Sequence, residues 1–316
     1  MKILIVRMSA MGDIVHTLPS AAALRRAYPD AEIDWLVEDR WSGLLLGNPH
    51  LTALRRLRGK RSVESLIAAV RELRARRYDC VIDFQGLLKS AAIARLCGAR
   101  EIIGFETAAL REKPAAIAYT RHVSVPLTAH VVDQNLALAR AAGAADGHVE
   151  FPLPPGEPGA VFSGDFLAVS PSAGWRAKRW PPEKFAELVA RVDRELGWPT
   201  AVNCGPGEEE LARRAVAGRA RVVVGDIAKL IGLARRARAF IAGDTGPLHV
   251  AAAVGTPVVA IFGPTSPERN GPYSERSRVV RAPGAATTYS RSAGVEDVAR
   301  VSVEDVFRAL VEVTAS

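Results

Sequence analysis

An aspartate stands where the first apolar run of the chain gives way to a helix. In K-I-L-I-V-R-M-S-A-M-G-D-I-V-H-T-L-P (Lys2–Pro19), a β-branched strand ends at Val6, a loop spans Met8–Gly12, and Asp13 leads a helix-like segment. Ligands of doubly wound α/β folds bind beyond the carboxyl ends of the strands, so a carboxylate placed there can act as a general base. It can equally be a helix N-cap, where Asp is favoured. The loop is not G-x-G-x-x-G, so the dinucleotide fingerprint is absent.

A second constellation lies in I-A-G-D-T-G-P-L-H-V-A-A-A-V-G-T-P-V-V-A-I-F-G-P-T (Ile241–Thr265). A strand ends at Ala242, Gly243–Gly246 make a turn, and Pro247 suits the first helical position. Backbone N–H groups beside Thr245 and Gly246 then suit a phosphate, whereas Asp244 suits sugar hydroxyls or a capping role. In S-P-S-A-G-W-R-A-K-R-W-P (Ser170–Pro181), Ser172-Ala173-Gly174 lets a diphosphate approach the backbone, and Arg176, Lys178 and Arg179 supply charge. Alternatively, these are surface cations around a buried tryptophan. In G-P-G-E-E-E (Gly205–Glu210) a glutamate can take a ribose hydroxyl pair or merely favour a first helical turn.

Net charge is +8, with five cations in R-R-L-R-G-K-R (Arg55–Arg61). Such a cluster attracts phosphates, carboxylates or an anionic membrane surface, or is a solvated loop. No aromatic interleaving accompanies it, so nucleic acid is not expected. The 3 cysteines are scattered without C-x-x-C, and the 6 histidines show no H-x-x-x-H, which points to a reducing compartment and to no metal site. No transmembrane run or signal peptide is expected.

These residues need rigid strand ends to hold them. Apolar runs at Ile3–Val6, Ile33–Val37, Cys80–Phe84 and Ile102–Phe105 predict buried parallel strands, with helices at Leu18–Ala27, Val63–Arg76, Ser90–Leu96 and Val131–Ala142. F-P-L-P-P-G-E-P-G (Phe151–Gly159) is neither helix nor central strand and reads as a linker. The alternation then repeats. Strands are predicted at Phe166–Ser170, Thr200–Asn203, Arg221–Val224, Ala239–Ala242 and Val258–Phe262. Helices are predicted at Pro182–Leu196, Glu208–Ala217, Ile227–Arg236, Leu248–Ala253 and Val303–Val313. The polar stretch Ala282–Gly294 is the least ordered in character. The expectation is an α/β protein of two Rossmann-like, doubly wound parallel-sheet domains facing a central cleft, over residues 1–152 and 160–300. The helix in 301–316 is expected to return to the first domain.

Taken in order, M-S-A-M-G-D-I-V-H-T-L-P, D-F-Q-G-L-L-K-S (Asp83–Ser90), K-R-W-P (Lys178–Pro181), G-D-T-G-P-L-H (Gly243–His249) and F-G-P-T-S-P (Phe262–Pro267) resemble the lipopolysaccharide heptosyltransferases of glycosyltransferase family nine. The resemblance covers nearly the whole chain. It implies a GT-B fold and an inverting, metal-independent transfer of heptose from ADP-heptose to a Kdo residue of the inner core, with no cofactor. By that likeness Asp13 is the general base of an acceptor-binding first domain. Ser172, Gly174, Lys178, Glu209, Asp244, Thr245, Gly246 and His249 line the donor site of the second. Arg55, Arg56, Arg58 and Arg111 meet the anionic glycolipid acceptor. A peripheral place on the cytoplasmic face of the inner membrane follows. Two departures stand out: Ala173-Gly174 replace a pair of threonines at the phosphate, and Leu57 replaces a tryptophan within the basic cluster. Other readings are a GT-B enzyme with another donor or acceptor (such as a second-heptose transferase), an epimerase-like enzyme, and a non-catalytic sugar-nucleotide-binding protein.

Overall fold

The computed structural model describes residues 1–58, 63–145, 147–157, 159, 161–288 and 295–315. The chain divides into two compact units, Met1–Pro154 and Pro155–Ser316. The division falls inside the proline-rich stretch, whose rings remove backbone donors and fix φ.

The first unit is built on six strands: β1 (Lys2–Val6), β2 (Glu32–Glu38), β3 (Ala53–Leu57), β4 (Cys80–Asp83), β5 (Glu101–Phe105) and β6 (Arg121–Val123). They pair in parallel in the order β3-β2-β1-β4-β5-β6. The order reverses between β1 and β4, so the switch point lies at the carboxyl ends of Val6 and Asp83. β1 and β4 are flanked by strands and covered by helices, and their β-branched residues are fully buried.

The second unit has β7 (Leu167–Ser170), β8 (Thr200–Cys204), β9 (Ala220–Val224), β10 (Ala239–Gly243), β11 (Val258–Phe262) and β12 (Ser277–Arg281). The parallel order is β12-β11-β10-β7-β8-β9, the same winding counted within the unit, with its switch point between β7 and β10. The final helix, Val303–Ala315, belongs to this unit. Val306, Leu310 and Val313 are buried in the second unit's core, against β11, β12 and the helix Pro182–Leu196. An apolar stripe of that width has to be covered, and this core covers it. Trp180 closes the same core, its ring edge-on to Phe185 at 4.9 Å and its indole N–H donated to the Val301 carbonyl.

Three strands not predicted from the sequence, β3, β6 and β12, complete the sheets. Lys60 and Arg61 of the basic cluster, and 289–294 of the polar stretch, lie outside the described residues.

Candidate active site

Asp13 is the third residue of a short helix, Met11–Val15, not its N-cap, so capping in the usual sense does not explain it. Ala10 occupies the cap and has no side-chain oxygen to offer. Asp13 Oδ2 instead reaches back to the Ala10 N–H at 3.1 Å. Its other oxygen, Oδ1, is held at 2.8 Å by Arg7 Nη2. Arg7 follows β1 directly and is buried, with Nη1 donating to the Phe84 carbonyl beyond β4. Its carbonyl accepts from the Trp35 indole at 2.9 Å. Gln85 Oε1 accepts the Met8 N–H at 2.8 Å, tying the β4 end to the β1 loop. Asp13 is thus a half-exposed carboxylate fixed by two donors at the switch point, with lone pairs left to accept a proton. The sequence did not single out Arg7 or Gln85. Gln85 lies within D-F-Q-G-L-L-K-S, but what it holds is 77 residues away.

The basic segment resolves unevenly. Arg55 sits in β3 with Nε 2.8 Å from Asp34 Oδ2 and Nη1 3.2 Å from Glu72. Asp34 is wholly buried and also accepts from the Tyr78 hydroxyl at 2.6 Å. A buried carboxylate must be paired, so Arg55 is committed to the fold and is withdrawn from the acceptor set. Arg56 lies 3.7 Å from Asp39 on the surface, and Arg58 and Arg111 are exposed. Arg58 follows β3 and Arg111 follows β5, on the carboxyl edge of the sheet that also carries Asp13.

In the second unit the turn Arg176–Lys178 lies over the ends of β10 and β11. It fits because Gly243 and Gly263 lack side chains: a Cβ on Gly243 would stand 2.5 Å from the Lys178 carbonyl, and one on Gly263 2.7 Å from that of Ala177. This seating delivers Lys178 Nζ to Asp244 Oδ2 at 2.5 Å, and 4.9 Å from the Trp175 ring centre. Asp244 Oδ2 also accepts from Thr265 Oγ1 at 2.7 Å, and Oδ1 lies 3.3 Å from His249 Nε2. Burial alone would raise the Asp244 carboxyl. The His249 hydrogen bond and the Lys178 charge outweigh it and hold the group well below the usual carboxylate range. Arg179 is turned to another use, its Nε donating to the Ala173 carbonyl at 2.8 Å to brace the loop.

In the loops after β7 and β10 two hydroxyls are buried without partners among the described residues, Ser172 Oγ and Thr245 Oγ1. Thr245 is the N-cap of the helix Gly246–Ala253, yet its side chain makes no capping bond. Gly246 is the first helical residue and Pro247 the second, one place later than the sequence suggested. A buried hydroxyl at a helix N-terminus without an acceptor is costly unless a ligand oxygen fills the role. Gly174 has open space where a side chain would project. Glu209 opens the helix Glu209–Arg213 after β8. The N–H groups of Glu209 and Gly207 lower its carboxyl. Ser172, Lys178, Glu209 and Asp244 all follow carboxyl ends of one parallel sheet. Thr265, which donates to Asp244, is the residue of this cluster that the sequence reading passed over; it sits in F-G-P-T-S-P, shortly after β11.

Residues 66–294 match the model of glycosyltransferase family 9 (heptosyltransferase). Lipopolysaccharide heptosyltransferase 1 of Pseudomonas aeruginosa is 32% identical over 88% of this chain and 83% of its own length. Its namesake in Escherichia coli K12 is 32% identical over 90% and 94%. The solved structure of E. coli heptosyltransferase WaaC with ADP superposes with a TM-score of 0.83 at 26% identity, covering 99% of this chain and all of that one. A putative UDP-N-acetylglucosamine 2-epimerase from Listeria monocytogenes shares the fold alone, at 11% identity and a TM-score of 0.55. With two six-stranded parallel sheets of Rossmann winding and a fixed aspartate at the first switch point, the chain is a GT-B glycosyltransferase that belongs to family 9, the heptosyltransferases.

Proposed function

We propose that this heptosyltransferase moves L-glycero-D-manno-heptose from ADP-heptose to a Kdo residue of the lipopolysaccharide inner core, with inversion and without a cofactor. The observation that carries the donor half is the pair of unpartnered buried hydroxyls, Ser172 and Thr245, beside the Lys178–Asp244 ion pair. Four groups of this kind suit a diphosphate: two hydroxyls, the Gly246 N–H and an ammonium. Ser172 and the open backbone at Gly174 take over from the threonine pair that this chain lacks. Glu209 receives ribose hydroxyls. A carboxylate has about four lone-pair positions, and three at Asp244 are taken, so it holds one heptose hydroxyl through Oδ1. His249 fixes that oxygen.

The acceptor hydroxyl oxygen attacks the anomeric carbon as the bond to ADP breaks. Its proton passes to Asp13, and the bonding pair leaves on the diphosphate. Lys178 and the N–H groups after Asp244 stabilise the growing charge. Arg7 holds Asp13 so that a lone pair stays free for the proton. Arg56, Arg58 and Arg111 pair with the anionic groups of the acceptor. Among the described residues no helix is long and apolar enough to cross a membrane. A glycolipid acceptor and a net charge of +8 suit peripheral association with the cytoplasmic face of the inner membrane.

The test is transfer from ADP-heptose to a deacylated Kdo-containing lipid A, comparing wild type with Asp13→Ala. A loss of about a hundredfold or more is expected. Equal activity of Asp13→Asn and wild type removes the base assignment. Competition among ADP, UDP and GDP sugars tests the donor.

A further inference from the structure

The first unit carries an apolar face with no use in the reaction above. The helix Leu88–Leu96 buries Ser90, Ala91, Ile93 and Ala94 against the sheet. Its outward side should then be polar. Instead Leu88, Ala92 and Leu96 lie one turn apart on the exposed side, with Leu88 50% and Leu96 51% exposed. The turn Lys113–Ala118 packs along this helix, and the Leu88 N–H is pinned to Glu112 Oε2 at 2.7 Å. That turn presents Ile117, which at 87% is the most exposed large apolar side chain among the described residues. Scattered exposed leucines are ordinary, but neighbouring ones on two packed elements form a patch.

The charges beside the patch have one dominant sign. Lys89 and Arg95 flank the helix stripe, and Lys113 starts the turn that carries Ile117. The nearest carboxylate, Glu112, accepts a backbone N–H. A second copy of this chain is a poor occupant, since a two-fold contact would set these cations against themselves. Apolar side chains ringed by lysine and arginine match a bilayer surface of anionic headgroups, where the chains enter the acyl boundary and the cations remain with the phosphates.

We propose that this face, and not the basic cluster at Arg55–Arg61, docks the protein on an anionic bilayer. The inference rests on the proposed glycolipid acceptor and adds how that acceptor is reached. Leu88 lies three residues beyond Gln85, which is bonded to the loop carrying Asp13, so docking here brings the lipid-anchored sugar to the edge that holds the base.

Flotation with phosphatidylcholine vesicles, with and without phosphatidylglycerol, tests the proposal. Wild type should float with the anionic vesicles only. Leu96→Glu with Ile117→Glu should lose at least about tenfold in bound fraction. Lys89→Gln, Arg95→Gln and Lys113→Gln should each lose about fivefold. Arg95, Leu96, Lys113 and Ile117 are exposed and Lys89 is partly so, and unchanged urea midpoints verify folding. Transfer to the deacylated acceptor should be unchanged in every variant, while transfer to acceptor embedded in vesicles should fall with flotation. Equal flotation of wild type and the double glutamate variant overturns the proposal, as does wild type that never floats. A wild-type dimer that the double variant splits also overturns it, because the face would then be covered by a second copy. Absent transfer to the deacylated acceptor would instead count against the functional reading, separately from flotation.

Discussion

Asp83 and Asp244 occupy matching places in the two units, at or just past the end of the fourth strand, beside the switch point. Both are buried. Their surroundings are opposite. Asp83 faces neutral donors: Ser90 and Tyr119 hydroxyls at 2.8 Å each, and the N–H groups of Gln85 and Gly86. Burial dominates there and pushes its carboxyl up. Asp244 faces Lys178, His249 and Thr265, and its carboxyl is held down. One winding and one residue type therefore give a structural brace in the first unit and a charged anchor in the second. The position alone confers no chemistry; the loop contributed by the neighbouring strand does. In the first unit that loop brings Arg7 to Asp13, and in the second it brings Lys178 to Asp244.

Removing the cation that distinguishes them should have the largest effect. Lys178→Met is expected to lower kcat by about 10²–10³, as for loss of one preorganised charge-stabilising donor. If steady-state transfer fell by less than tenfold, Lys178 would be a structural partner of Asp244 and the contrast would lose its functional content. Gly243→Ala should give a similar loss without removing any polar side chain, because its Cβ would collide with the Lys178 carbonyl.

The pair itself can be compared directly in urea. Asp244→Asn leaves the Lys178 charge facing an amide and should cost about 3 kcal/mol. In Asp83→Asn the amide oxygen can accept from Gln85 and Gly86, while the amide N–H groups turn to the two hydroxyls, so about 1 kcal/mol is expected. Equal losses would show that burial, not charge, governs both sites.

Acid titration adds a sign. Asp244, depressed in the folded state, contributes stability that is present above the unfolded carboxylate value near 3.9 and is lost as pH falls through the folded value. Asp83, raised in the folded state, acts in reverse: stability falls as pH rises from about 3.9 toward its folded value. Asp244→Asn should therefore flatten the acid side of the profile, and Asp83→Asn should flatten the decline above it.

The central strands were readable because burial on both faces demands unbroken apolar runs, as in Ile3–Val6 and Val258–Phe262. β3, β6 and β12 were not, because each closes a sheet edge. Edge strands are half solvated and carry charge, and A-L-R-R-L, R-H-V and S-R-V-V-R look like basic loops for that reason. The same disguise made Arg55 look like an anion ligand. The missed signal was Asp34, a carboxylate inside the buried strand E-I-D-W-L-V-E that required a cation from a neighbour. The positions of Asp13, Lys178 and Asp244 beyond strand ends were legible from strand-loop-helix order. Arg7, Gln85 and Thr265 act on groups brought near only by folding, so local spacing gave them no mark.

The smallest expected effect sharpens the comparison furthest. Thr265→Val keeps the shape and removes one neutral donor from Asp244 Oδ2, leaving Lys178 in place. A single hydrogen bond to a charged group is worth about 1.5–3 kcal/mol at most, and the remaining lone pair on Oδ2 can take a second proton of Lys178, so a loss near 1 kcal/mol is expected. If Thr265 only packs, urea stability falls and the KM for ADP-heptose stays put. If it fixes the carboxylate that steers Lys178, KM for the donor should rise severalfold while that for the acceptor is unchanged. Among the described residues no equivalent third donor braces Asp13, whose two partners there are Arg7 and the Ala10 N–H. That difference suits the tasks assigned to the two groups: a base has to accept a proton and release it, whereas the anchor has to stay charged throughout turnover.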